Sequence, residues 1–91
     1  MTDIAKRIVF HGRVQGVGFR YITCRVAAKY PITGYVKNMP GGTVECVACG
    51  SDENVKAFID DICRTMSDNI SRKTTEDLNI LPDYKLFDIT Y

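Results

Sequence analysis

Apolar residues recur along the chain with two different periods, and these periods predict the order of its elements. Strands are predicted over residues 5–13, 32–39, 43–49 and 84–91. Helical spacing is found instead in two one-sided stripes, each typical of an amphipathic helix: Phe19, Ile22, Val26, Ala27 and Tyr30, then Val55, Phe58, Ile59, Ile62 and Met66. The predicted order is therefore strand, helix, strand, strand, helix, strand.

Turn and cap residues mark the ends of several of these elements. Pro31 ends the first helix, because proline lacks a backbone N–H and restricts the residue before it. The turn at residues 40–42, Pro-Gly-Gly, joins the second and third strands in a hairpin. Ser51 suits the N-cap of the second helix, and Asp52 and Glu53 suit the positive end of its dipole.

This order of elements is typical of the split βαβ pattern. It predicts an α+β, ferredoxin-like βαββαβ sandwich, in which a four-stranded antiparallel sheet carries both helices on one face. The 91 residues suffice for a single domain, expected over residues 1–91. Residues 67–83 are the least regular segment, where a further short strand around Ile70 or Leu78 and a plain loop both stay open.

Composition and charge disfavour some classes of function. Apolar residues make up 45% of the chain and charged residues 25%, which is ordinary for a globular protein. The 12 basic and 11 acidic residues give a net charge of +1, and the longest basic cluster is Arg72-Lys73, so nucleic-acid binding is disfavoured. No apolar run approaches the ~20 residues of a membrane span, and the polar start lacks a signal-peptide core. We expect a cytoplasmic protein, and nothing requires more than a monomer.

Four cysteines raise the question of a metal or redox site: Cys24, Cys46, Cys49 and Cys63. Cys46 and Cys49 match the CxxC spacing, but they lie in a predicted strand, where positions three apart point to opposite faces. We therefore expect the cysteines to be small buried hydrophobes, with metal or disulfide use as the alternative. No Asp, Glu or His cluster at ligand spacing is present, so no metal or cofactor is predicted.

The segment QGVGFR, Gln15–Arg20, places two glycines and an arginine between a strand and a helix. The GxGxxG motif fails because Tyr21 takes the place of the third glycine, and the Walker A motif lacks its ending. Successive N–H groups at such a junction can converge on a tetrahedral anion, and Arg20 can clamp two of its oxygens. A phosphate or phosphoryl group fits best; the alternative is a tight turn without ligand and a surface salt bridge for Arg20.

Taken together, three segments resemble the acylphosphatase family: HGRVQGVGFR at residues 11–20, ITGYVKNMPGGTVECVACG at residues 32–50, and DITY at residues 88–91. The family has the same split βαβ fold. The resemblance implies an acylphosphatase whose phosphate-binding loop is formed by Gln15, Gly16, Val17, Gly18, Phe19 and Arg20. It also implies that Asn38, at the end of the second strand, orients the attacking water. By itself, such an asparagine more often caps a turn.

Hydrolysis of an acyl phosphate is consistent with a site that has an arginine, an asparagine and backbone N–H groups but no evident acid/base pair. Their leaving group is a carboxylate with a pKa near ~4, which departs without a proton from a general acid. The expected reaction is hydrolysis of a small acyl phosphate to a carboxylate and inorganic phosphate, by in-line attack of water, without a covalent intermediate or a metal. His11 is expected to be a strand residue hydrogen-bonded locally.

Two other functions use the same fold. A non-catalytic module that binds phosphate or a phosphorylated metabolite would need the loop but would show no turnover. A ferredoxin-like RNA-binding domain presents aromatic side chains on its open sheet face. The near-neutral charge and the third strand, TVECVAC, which has no aromatic-basic motif, count against the RNA-binding domain.

Overall fold

The computed structural model describes residues 3–79 and 82–91. It contains, in chain order, the following elements: β1 (Asp3–Gly12), α1 (Phe19–Ala27), β2 (Thr33–Asn38), β3 (Val44–Ser51), α2 (Asp52–Thr65), β4 (Ile70–Asp77) and β5 (Phe87–Thr90). The domain expected over residues 1–91 includes four residues that lie outside this description: Met1, Thr2, Ile80 and Leu81. Within the described ranges, no helix is both long and apolar enough to cross a membrane.

The strands form one sheet in the order β4-β1-β3-β2-β5. The pairs β1–β3, β1–β4 and β2–β3 are antiparallel, whereas β2 and β5 are parallel. The predicted ferredoxin-like α+β class is confirmed. The predicted strand count needs correction, because the sheet has five strands rather than four and one of its pairs is parallel.

The fourth strand of the split βαβ motif is not the one that the apolar pattern indicated. Strand β4, Ile70–Asp77, pairs with β1 and completes the motif, so a strand that starts at Ile70 is the option that forms. The strand predicted over residues 84–91 is the shorter β5, Phe87–Thr90, at the opposite edge. The pattern missed β4 because its side chains after Ile70 are all exposed, as suits a polar edge strand.

Both helices pack on one face of the sheet and enclose the main core there. From the strands this core takes Ile8, Phe10, Val36, Val44, Cys46 and Ala48, and from the helices chiefly Phe19, Val26, Val55, Phe58 and Ile62. The predicted stripe of α2 is buried throughout. Helix α1 ends at Ala27, earlier than the predicted end at Pro31. The N–H groups of Lys29 and Tyr30 donate to carbonyls three residues back, so the chain continues as a tighter turn rather than as an α-helix.

Strand β3 is the central strand and is buried on both faces. Cys46 lies in the main core, whereas Cys49 packs with Ala5 and Val47 on the helix-free face, which confirms the opposite orientation predicted for the CxxC pair. Glu45 is also buried, and its carboxylate accepts hydrogen bonds from Arg7 Nε at 2.5 Å and Tyr35 Oη at 2.6 Å. Burial alone would raise the pKa of Glu45, but these two donors lower it.

Candidate active site

The loop between β1 and α1 follows a path fixed alternately by apolar anchors and glycines. Val14 is buried and Val17 packs partly against the main core. Between and after them, Gly16 and Gly18 each have a φ of 77°, a left-handed conformation that side chains with a Cβ rarely adopt. The glycines therefore serve the backbone path, and the valines hold the loop on the core.

The side chain of Gln15 ties this loop to the β2–β3 hairpin. Its amide nitrogen, Nε2, donates to the carbonyl oxygens of Met39 and Thr43, both at 2.8 Å. These two carbonyls flank the turn that follows Asn38. From the sequence, Gln15 was expected to contribute a backbone N–H to the phosphate-binding loop. In the structure its side chain also joins this loop to the hairpin.

The N-terminus of α1 differs from that of α2. Helix α1 is preceded by Gly18, which has no side chain to cap it, and no residue of its first turn is acidic. Helix α2 is capped by Ser51, whose Oγ accepts a 3.1 Å hydrogen bond from the Asn54 N–H, and Asp52 and Glu53 occupy its first turn. The positive end of the α1 dipole is therefore left without a compensating side chain and can attract an anion.

The backbone N–H groups around this terminus are available for a ligand. Within residues 3–79 and 82–91, none of the N–H groups of residues 15–21 donates a hydrogen bond to another residue. A run of free N–H groups at a glycine turn and a helix start is the arrangement that binds phosphate in many proteins.

A pocket of about 180 Å³ opens at this point. Its lining comes from the loop, the start of α1 and the ends of β2 and β5, and consists of Val14, Gly16, Gly18, Phe19, Arg20, Tyr21, Asn38 and Ile89. Five of the predicted site residues thus meet around one cavity: Gly16, Gly18, Phe19, Arg20 and Asn38. Gln15 and Val17 are not among the lining residues and instead hold the loop in place.

Arg20 is half-buried at the edge of this pocket. Its guanidinium carbon lies 5.0 Å from the ring centroid of Tyr91, a cation–π contact. No carboxylate in the described part of the chain lies within 4.0 Å of the Arg20 guanidinium, so the surface salt bridge considered for Arg20 is not formed there. Stacking uses the face of a guanidinium and leaves its N–H edge free to bind an oxyanion.

Three lining residues were not predicted from the sequence, namely Val14, Tyr21 and Ile89. Tyr91, also not predicted, lies beside Arg20 without lining the pocket. Tyr21 stands outside the apolar stripe of α1, so periodicity gave it no core role. Ile89 reaches the pocket, and Tyr91 reaches Arg20, only because β5 lies beside β2. The one available signal was the position of Tyr21 directly after Arg20.

The remaining candidates lie elsewhere. His11 is paired with Arg72 across β1 and β4 and does not line the pocket. Burial raises the pKa of each cysteine thiol, and none of them lines the pocket: Cys24, Cys46, Cys49 and Cys63. Among the described residues, no group of three or more His, Cys, Asp or Glu side chains is placed to hold a metal ion.

The fold and the pocket together define a small α+β domain that can bind an oxyanion at the start of its first helix. The acylphosphatase family profile matches residues 6–89. An acylphosphatase of Geobacillus thermodenitrificans is 45% identical over 85 residues, covering 92% of this chain and 90% of that protein. The crystal structure of acylphosphatase from Bacillus subtilis superimposes with a TM-score of 0.86 at 30% identity, covering 97% of this chain and 99% of that one. An acylphosphatase from Coxiella burnetii gives a TM-score of 0.83 at 27% identity, covering 97% and 93%.

The chain belongs to the acylphosphatase family. This confirms the resemblance drawn from residues 11–20, 32–50 and 88–91, together with the expected enzyme class. The same finding favours a hydrolase over a non-catalytic phosphate-binding module.

Proposed function

We propose that this protein hydrolyses the carboxyl–phosphate bond of small acyl phosphates to a carboxylate and inorganic phosphate. The observation that carries the proposal is the pocket itself. It brings Arg20, the open N-terminus of α1 and Asn38 together around one cavity. The first two suit a phosphoryl group, and the third supplies an amide to the water that must attack it.

The phosphoryl group is held by backbone and by one cation. The N–H groups of Gln15, Gly16, Val17, Gly18 and Phe19 and the guanidinium of Arg20 bind its three equatorial oxygens. Phosphoryl transfer depends mainly on such positioning and on charge stabilisation, because charge spreads over these oxygens in the transition state.

Asn38 positions the attacking water. Its side-chain amide makes no hydrogen bond to another residue of the described chain, so it can bind a water molecule at the pocket. The water oxygen forms a bond to phosphorus as the bond between phosphorus and the acyl oxygen breaks. The electron pair of that bond leaves with the carboxylate, whose pKa near ~4 makes a general acid unnecessary. A phosphate oxygen accepts the proton from the water.

The proposal includes no metal, cofactor or nucleic acid. Arg20 and the α1 terminus supply the positive charge that a metal ion supplies in many phosphoryl-transfer enzymes. The substrate is a small molecule, and the protein acts as a cytoplasmic monomer.

Turnover of benzoyl phosphate tests this proposal. Wild type, Arg20→Gln and Asn38→Ala are compared with and without EDTA, and Arg72→Gln on the exposed strand β4 is the matched arginine control. Wild type and the control should be equally active and unaffected by EDTA. Removal of one stabilising donor from such a site costs on the order of 10²–10³ in rate, and Arg20→Gln should lose at least that much.

The outcomes separate the parts of the proposal. Loss of activity in Arg20→Gln alone would keep the hydrolase and remove Asn38 from its role. A folded wild type that binds inorganic phosphate in calorimetry but turns over no benzoyl phosphate would indicate the non-catalytic module instead.

A further inference from the structure

The mouth of the pocket carries apolar side chains that the phosphoryl group does not use. Tyr21 is 61% exposed, whereas Phe19 is buried and Arg20 and Asn38 are half-buried. Tyr21 is thus the most exposed side chain of the lining. Ile89, from β5, is half-buried on the same lining.

The ring of Tyr21 lies outside the core but contacts a neighbouring side chain of α1. The guanidinium carbon of Arg25, one turn further along α1, lies 5.8 Å from the Tyr21 ring centroid. Residues four apart on a helix are neighbours, and a guanidinium over an aromatic ring is attractive. Tyr21 therefore presents an aromatic surface at the pocket mouth, supported on one side by Arg25.

The apolar side chains at this site form a patch. A single exposed hydrophobic residue needs no explanation, but Tyr21 and Ile89 both line the pocket, and Tyr91 lies against Arg20 at its edge. Small-molecule sites commonly combine an apolar wall with a few polar groups that fix the orientation of the ligand. The polar groups here are those that bind the phosphoryl oxygens.

The proposed reaction places the acyl group toward this patch. In-line displacement puts the leaving oxygen on the side of phosphorus opposite to the attacking water. Asn38, which holds the water, is half-buried, whereas Tyr21 is the most exposed side chain of the lining. The acyl group therefore projects toward the exposed mouth, where Tyr21 stands.

We propose that Tyr21 contacts the acyl group of the substrate and, with Ile89, makes the enzyme favour aromatic or branched apolar acyl phosphates over acetyl phosphate. This inference rests on the proposed hydrolysis, and it assigns Tyr21 as a specificity-determining residue. Its effect is limited to the organic part of the substrate, because the phosphoryl group is bound by other residues.

The test compares kcat/KM for benzoyl phosphate and acetyl phosphate in wild type, Tyr21→Ala and Tyr21→Phe. In Tyr21→Ala the benzoyl-to-acetyl ratio should fall about tenfold, the lower end of what one apolar contact contributes to discrimination. Tyr21→Phe should keep the wild-type ratio, because the Tyr21 hydroxyl makes no hydrogen bond to another described residue. The inhibition constant of inorganic phosphate should be unchanged in both variants, which also shows that they are folded.

Tyr84→Ala is the matched control. Tyr84 is 38% exposed, packs against Tyr35 and does not line the pocket, so its loss should leave the ratio unchanged. An unchanged ratio in Tyr21→Ala, or an equal loss for both substrates, would overturn the inference while leaving the hydrolase intact. A wild type that hydrolyses neither substrate would overturn the proposed function, and the inference with it.

Discussion

At the scale of single residues, Gln15 joins the two sides of the pocket. Its side-chain amide bonds two carbonyls of the β2–β3 hairpin, while its own backbone belongs to the loop that precedes α1. The loop holds the phosphoryl group in the proposed mechanism, and the hairpin carries Asn38. In that mechanism, the distance between phosphorus and the attacking water depends on Gln15, although its side chain does not line the pocket.

Gln15→Ala should lower activity through this geometry. A displacement of about 1 Å at a reacting centre costs on the order of 10²-fold in rate, so we expect kcat for benzoyl phosphate to fall by roughly one to two orders of magnitude. Stability should fall by about 1–2 kcal/mol, since two hydrogen bonds are lost. Steady-state kinetics and urea unfolding measure the two effects.

Asn69→Ala provides a matched control for Gln15→Ala. The Asn69 side-chain amide also donates to a backbone carbonyl of the same loop region, that of Arg13, at 3.1 Å, but it ties the loop to the start of β4. Its loss should affect stability with little change in kcat. Equal losses of kcat in the two variants would show that Gln15 has no special role in positioning the loop against Asn38.

At the scale of elements, β2 is the strand on which the pocket depends, and Gly34 sets how closely its neighbours approach. Gly34 has a φ of 144°, and a Cβ added there would overlap the carbonyl oxygen of Val47 on β3. Its N–H donates at 3.0 Å to the carbonyl oxygen of Leu86, just before β5. A residue with a side chain at this position would push β2, the strand that carries Asn38, away from β3.

Gly34→Ala should destabilise the protein by about 3–4 kcal/mol, because it adds overpacking against backbone to the strain of a positive φ. Gly42→Ala is the control: its φ is 97°, but an added Cβ would meet nothing within 4 Å. It should cost only about 1–2 kcal/mol. Thermal and urea unfolding of both variants measure the difference, and similar losses would show that the contact with Val47 is relieved by a small shift.

At the scale of the whole molecule, Asp61 connects the two helices. It lies on α2 and is only 4% exposed. Its carboxylate pairs with Lys29 Nζ at 2.8 Å and accepts a 2.7 Å hydrogen bond from Tyr30 Oη, both from the segment that follows α1. Thr65 Oγ1 donates to it at 3.2 Å from the next turn of α2. The Lys29 ammonium and these hydroxyls lower the pKa of Asp61 to about 2.

This pKa predicts how stability depends on pH. In the unfolded chain Asp61 returns toward its ordinary pKa of 3.8, so the unfolded state binds its proton more readily than the folded state. The stabilisation by Asp61 is therefore complete above about pH 4 and is lost as the pH falls toward about 2. Asp61→Asn should lower the free energy of unfolding by about 1–3 kcal/mol at pH 7. Its free energy of unfolding should also fall less than that of wild type between about pH 4 and about pH 2.

Urea unfolding at pH 2, 3, 4 and 7 measures this dependence. The control is Asp60→Asn, an exposed carboxylate at the preceding position of α2, which should follow the wild-type profile. If the free energy of unfolding of Asp61→Asn falls with pH as steeply as that of wild type, other carboxylates dominate acid unfolding.

The sequence by itself determined the elements that have a local signature. The apolar stripe of α2, its Ser51 cap and the hairpin of β2 and β3 are as predicted, because helical period, capping and turn chemistry act between residues close in the chain. The motif at residues 11–20, which combines a glycine-bounded loop with an arginine at a helix start, also indicated the family together with residues 32–50 and 88–91.

Only the tertiary structure decided which strands form the sheet edges and which side chains surround the pocket. Strand β4 has no apolar face, so nothing local distinguishes it from a loop; pairing with β1 makes it a strand. The hydrogen bonds of Gln15 and the positions of Ile89 and Tyr91 depend on contacts between segments more than 20 residues apart. Such contacts arise from the packing of the whole chain, and no local period or motif encodes them.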